Sequence, residues 1–204
     1  MKRFLLLLVC LSQLVFADDS YLIDDSLAMA RQGEFVRASN LIVDLANNGD
    51  STAQYVLSMY FRDPNALNIP EVGEMWLMRA AENNNAKAQY DLGWRLAAGW
   101  KNDTVEDIVE MIYWFERATF NGSDDAYANL ATLYENEHRN VLLEMEVAAN
   151  NGNAMAQFNL GWINARGLVS SEGLMQDMDV AKVWFEKSAK LGFKDAVEVL
   201  QNNF

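Results

Sequence analysis

An internal repeat constrains this chain more than any other feature. An Ala-x-x-x-Leu pair occurs five times, as Ala53/Leu57, Ala88/Leu92, Ala126/Leu130, Ala156/Leu160 and Ala196/Leu200. Successive alanines stand 35, 38, 30 and 40 residues apart. Four residues ahead of each sits Gly49, Asn84, Gly122, Gly152 or Gly192. Helices end most readily in a left-handed residue, by preference Gly, with Asn as the usual substitute. A period of this size, punctuated by helix stops, predicts stacked helix pairs.

Within each unit the apolar spacing is helical. Ala88, Leu92 and Leu96 fall at i, i+4 and i+8, and a second apolar helix follows, for example Val109-Met111-Ile112-Trp114-Phe115-Ala118. Trp76, Trp114 and Trp184 each stand eight residues before the terminating Asn or Gly, and a small residue (Ala80, Ala118, Ser188) follows each four positions later. Small side chains let neighbouring helices approach closely, and Trp and Leu fill the space between pairs. Gly99 and Gly167 close the first helices of their repeats, and both prolines, Pro64 and Pro70, are expected in one loop between helices. Ser26 to Asn48 reads as a divergent first pair turning at Gly33, and Lys194 to Phe204 as a single helix that caps the stack.

The pattern Ala-x-Tyr/Phe-x-Leu-Gly, then a Gly turn, then Trp-x-x-x-Ala, resembles the Sel1-like repeat, a subclass of the tetratricopeptide-type helical repeats. Its best copies are Ala88-Gln89-Tyr90-Asp91-Leu92-Gly93 and Ala156-Gln157-Phe158-Asn159-Leu160-Gly161. Ala53-Gln54-Tyr55-Val56-Leu57-Ser58 departs only at its Gly, and the copy from Ala126 lacks the Trp, with Glu144 in its place. The resemblance implies an all-α, right-handed α-solenoid of antiparallel helix pairs whose first helices line a concave face. It covers about residues 51–204, as repeats at 51–85, 86–123, 124–153 and 154–193 and a capping helix at 194–204, and leaves a segment and helix pair at 18–50 outside it. It also implies a secreted bacterial protein that mediates protein–protein contacts and has no family-wide catalytic residues. Cysteine-rich relatives have been discussed as hydrolases; the cysteine content here places this chain outside that group.

Residues 1–17 read as a cleavable secretory signal. Lys2 and Arg3 precede a short apolar run from Phe4 to Phe16, and Val15 and Ala17 are small enough for the −3 and −1 positions of a cut ahead of Asp18. The run is too short for a spanning helix, which needs about 20 apolar residues. Val9 ahead of Cys10 does not suit a lipoprotein signal. Cleavage predicts a periplasmic or secreted protein with no membrane insertion. It also removes the only Cys, so neither a disulfide nor thiol chemistry is expected. The full chain has 29 acidic against 16 basic residues and a net charge of −13; loss of Lys2 and Arg3 takes this to −15. Nucleic acid is therefore not expected as a partner, since a phosphate backbone demands clustered Lys and Arg. A basic protein partner would be drawn in quickly.

No phosphate loop, nucleophile elbow or zinc-protease motif is present. His138 is alone, and no metal or cofactor site is expected. Asp103 or Thr104, Asp124-Asp125, and Asp177 with Asp179 stand ahead of helices, where carboxylates favour the positive N-terminus. The expected contact residues come from the family phase, in which positions three and six after the repeat Ala turn away from the Leu seam. Position six is Met59, Trp94, Thr132 and Trp162; position three is Val56, Asp91, Asn129 and Asn159. Trp enriches interface anchors, and Arg62, Arg95 and Arg166 near the first-helix ends suit partner carboxylates. The partner-binding set is thus Met59, Arg62, Asp91, Trp94, Arg95, Asn159, Trp162 and Arg166. The expected function is a periplasmic module holding a protein or peptide, with toxin immunity as a special case. The alternatives are a regulator of an envelope sensor or polysaccharide system, and a hydrolase.

Overall fold

The structure, a computed structural model, describes residues 19–99, 104–135, 141–167 and 176–204. Residues 1–17, where a cleavable signal is expected, Asp103 and the Glu137-His138-Arg139 stretch lie outside the described residues. Among the described residues there are eleven helices and no strand. They fall into two compact units, Met1–Asn83 and Asn84–Phe204. The first contains α1 (Ser20–Arg31), α2 (Phe35–Asn47), α3 (Ser51–Arg62) and α4 (Pro70–Glu82). The second contains α5 (Ala86–Gly99), α6 (Val105–Phe120), α7 (Asp124–Glu135), α8 (Val141–Asn150), α9 (Ala154–Arg166), α10 (Met178–Lys190) and α11 (Lys194–Asn203). Within each unit consecutive helices pack in chain order, the arrangement of an α-solenoid.

The repeat is built from local chemistry. At the five stops φ is positive, 64° at Asn84 and 86–97° at the glycines, so the one Asn does the conformational work of Gly. The next residue caps the following helix. Asp50, Asn85, Ser123 and Asn153 each accept a hydrogen bond from the backbone N–H of the repeat Ala, at 2.7–3.2 Å. At the fifth stop Phe193 stands in that position and offers no side-chain cap. Second helices have caps of their own. Thr104 and Asp107 form a reciprocal capping box on α6, which holds the Asp107 carboxyl below its ordinary pKa, and Asp177 caps α10. Pro70 departs from expectation. It opens α4 at its first position, where the missing N–H costs nothing, instead of lying in the loop.

Packing inside a pair follows an inverse size rule. A Cβ on Gly93 would meet the Phe115 ring at 2.7 Å, and one on Gly161 the Phe185 ring at 2.5 Å. The α3–α4 pair replaces both partners, with buried Ser58 at the Gly position and Leu77 at the Phe position. A buried Gln follows the repeat Ala in the three best copies. Gln54 and Gln157 donate to the carbonyls of Ala46 and Ala149 at 2.8 Å, tying each first helix to the helix before it. Gln54 accepts from Asn83, and Gln89 from Asn121, both at 2.9 Å. In the α9–α10 pair Leu191 occupies the Asn register, and the buried Gln157 Oε1 has no hydrogen-bond partner.

The second unit has an uneven centre. Its core runs along α6, where Ile108, Ile112 and Phe115 meet Leu130, Met145 and Leu160. The α7–α8 pair is short, and α9 packs against α6 as well as against α8. That contact brings the ends of α6, α9 and α11 together.

Candidate binding groove

A recurrent basic residue shows how the site departs from the repeat. Three positions after each repeat Trp stands Arg79, Arg117 or Lys187. Arg79 lies over Trp76 at 4.9 Å and Lys187 over Trp184 at 3.8 Å, ordinary cation–π pairs. Arg117 instead lies over the Tyr113 ring and donates to the Tyr113 hydroxyl, to Asp195 on α11 and to the side-chain amide oxygen of Asn84. Tyr113 also donates to Asp195 at 2.9 Å. Burial raises the Tyr113 pKa to about 12. Burial pulls the Arg117 guanidinium down, but the Tyr113 and Asp195 oxygens more than offset it and leave its pKa above the ordinary value. The trio is a fixed, charge-neutral knot that holds the start of α11 against α6.

Beside this knot lies an open groove between the ends of α6, α9 and α11. One wall is aromatic. Phe120, the last residue of α6, is 61% exposed and lies 5.5 Å from Trp162 of α9. Trp162 also meets Phe158 and Phe185 edge-on. The other wall is α11, with Glu198 and Asn202 facing the groove, and Asn84 and Asn121 border it from the helix stops.

Behind the aromatic wall sits a buried charge. Glu116 is fully enclosed and pairs through one oxygen with Arg166, whose guanidinium lies over Trp162 at 4.9 Å. The other oxygen, Oε1, has no hydrogen-bond partner among the described residues, nor has the buried hydroxyl of Tyr134 on α7. Burial raises the Glu116 pKa to about 7 although Arg166 opposes it. Burial, and then the Glu116 charge, raise that of Tyr134 well above its ordinary value.

The residues expected to meet a partner divide into three groups. Met59 and Trp94 are exposed, at 40% and 54%. Arg95 is exposed and Asp91 half-buried on the same helix as Trp94, α5. Trp162 and Arg166 are brought together, but as the supports of the groove wall: Trp162 is half-buried among rings, and Arg166 is committed to Glu116. The expectation fails at position three. Asn159 is fully buried and donates to the Val109 carbonyl at 2.8 Å, and Val56 is buried as well. At Asn159 that position points into the neighbouring pair, because α9 packs on α6 there, whereas Asp91 and Asn129 at the same position stay half-buried. Arg62 is half-buried, donates to the Ser58 carbonyl at 3.2 Å and fills the space left by Gly73.

Sequence reasoning passed over Phe120 and Arg117. A signal for Phe120 exists, because the other pairs place Glu82, Asn150 and Lys190 two residues before the stop. An apolar residue in a polar register is visible in the alignment of repeats. That Arg117 would meet Asp195 is not, because 78 residues separate them. Among the described residues no group of three or more His, Cys, Asp or Glu side chains is placed to hold a metal ion. No described helix is long and apolar enough to cross a membrane.

Comparison with known proteins agrees with the register of the repeats. The Sel1 repeat family matches residues 86–119 and 154–193, the α5–α6 and α9–α10 pairs. Such repeats generally serve as protein–protein interaction modules. Similar solved structures include a Sel1 repeat protein from Oxalobacter formigenes, at 24% identity and a TM-score of 0.43 over 81% of this chain. Another is c5321, a protective antigen of uropathogenic Escherichia coli with an SLR fold, at 27% identity and a TM-score of 0.41 over 79% of this chain. The matches span 66% of the first protein and 35% of the second. No curated protein matches the chain significantly.

Proposed function

Because the chain carries Sel1 repeats in two helix pairs, we propose that it is a non-enzymatic envelope protein that holds a protein or peptide partner in the groove between α6, α9 and α11. Phe120 carries this reading. Burying such a side chain is worth about 1.5–3 kcal/mol, yet it stands 61% exposed in a register that is otherwise polar. Aromatic side chains, Phe among them, are enriched in the cores of protein–protein interfaces. The leader-like residues 1–17 support placement in the periplasm or outside the cell.

Affinity purification of the tagged chain from its native envelope, followed by mass spectrometry, tests both halves. Recovered protein should begin at Asp18, and one partner should be lost from the Phe120→Ala variant while the helical circular dichroism stays unchanged. A partner retained by Phe120→Ala but lost from Trp94→Ala would move the site to the exposed face of α5. Trp162→Ala is a poor first probe, because that ring also packs against Phe158 and Phe185.

The acid excess favours a second, narrower reading, an immunity protein that captures a basic toxin. Capture of that kind predicts an association rate that falls steeply with added salt. A rate indifferent to salt would rule it out.

A further inference from the structure

The groups that the groove leaves unused describe what fits it. Asn84 accepts from Arg117 at its side-chain Oδ1 and keeps its side-chain N–H donors. Asn121 donates to Gln89 and keeps its carbonyl oxygen. Asn202 is exposed and makes no side-chain hydrogen bond among the described residues. The border therefore mixes donors and acceptors, which suits a peptide backbone carrying one of each per residue. The charge is less balanced. Arg117 and Asp195 neutralise each other, and Glu198 has no ion-pair partner among the described residues. A phosphate or carboxylate ligand would meet an uncompensated negative charge; a Lys or Arg would relieve one. The remaining surface is the Phe120–Trp162 wall, which offers area to one large apolar side chain.

We propose that the groove takes an extended segment of a protein partner in which a large apolar residue, seated on Phe120 and Trp162, stands close in sequence to a Lys or Arg seated on Glu198. This rests on the groove being the protein-binding site, and it adds the chemistry of the segment. Backbone contacts to the three Asn side chains supply affinity with little sequence preference, and the two side-chain seats supply the choice.

A random-peptide phage library panned on the mature chain tests it, with the enriched peptides then titrated by fluorescence anisotropy. Enriched sequences should combine an aromatic or large aliphatic residue with a nearby Lys or Arg. Phe120→Ala should abolish their binding. Glu198→Lys should weaken it by about tenfold at low salt and less at high salt. Peptides that need Phe120 but carry no basic residue, or that ignore Glu198→Lys, would overturn the paired chemistry and leave the groove standing. Peptides indifferent to Phe120→Ala, or a library yielding none while a glycan array binds, would overturn the groove reading as well.

Discussion

Glu116 and Glu186 occupy the same register, two residues after the repeat Trp of α6 and of α10, and meet opposite fates. Glu186 is exposed, as are Val183 and Lys187 beside it. Glu116 is wholly enclosed, and its neighbours Tyr113 and Arg117 are drawn into contacts with α11. The two helices have alike caps, periods and stops. They differ in what lies across that face: α6 is covered by α9 and α11, and α10 turns the same face to water. The comparison teaches that a solenoid register assigns a residue to a face, and only the returning helices decide whether that face is surface or core.

The sharpest way to break this contrast is to remove the charge that answers Glu116. Arg166→Leu leaves a buried carboxylate alone and should cost about 3–5 kcal/mol at pH 8, whereas Glu186→Gln should lie within about 0.5 kcal/mol of the parent. Urea unfolding of both variants checks this, and similar values would undo it. At pH 5 the Arg166→Leu penalty should shrink, because Glu116 is then protonated.

The same carboxyl sets a pH dependence. Its pKa is about 7 in the folded chain and ordinary in the unfolded one, so the unfolded state loses the proton first. The stability it confers is complete below the ordinary carboxylate range and is lost as pH rises to about 7. Glu116→Gln should flatten the melting temperature across that window, and Glu186→Gln should leave the slope as it is.

Two changes sharpen the comparison between the α5–α6 and α9–α10 pairs. Gly161→Ala presses a methyl into the Phe185 ring and should cost about 1–3 kcal/mol. Gly93→Ala should cost a similar amount against Phe115, and relief by Phe185→Leu in the first case would verify the size rule. The smallest effect is a gain. Leu191→Asn restores the residue that Asn121 supplies in the other pair and gives Gln157 its missing donor. It should stabilise by about 1 kcal/mol, read as a higher melting temperature; no change would mean that the amide does not reach.

Most of the fold was legible because most of it is local. The repeat Ala, its stop four residues earlier and the cap between them act over three to five residues, so their spacing is written in one dimension. The Gly93–Phe115 and Gly161–Phe185 contacts also recur at repeat spacing. The candidate site was legible only where a residue broke its own register, as Phe120 does. Asn159 misled, because the family phase turns position three away from the Leu seam, whereas here α9 packs it against the Val109 carbonyl.

The sequence by itself determined that this chain forms helix pairs, where each helix stops, and which residues seam a pair together, since those outcomes depend on neighbours three and four positions away. Only the tertiary structure decided that α9 and α11 return to α6, joining Arg117 to Asp195 across 78 residues and Arg166 to Glu116 across 50. The short α7–α8 pair brings those distant turns into contact, and the groove exists because Phe120 is left at their edge.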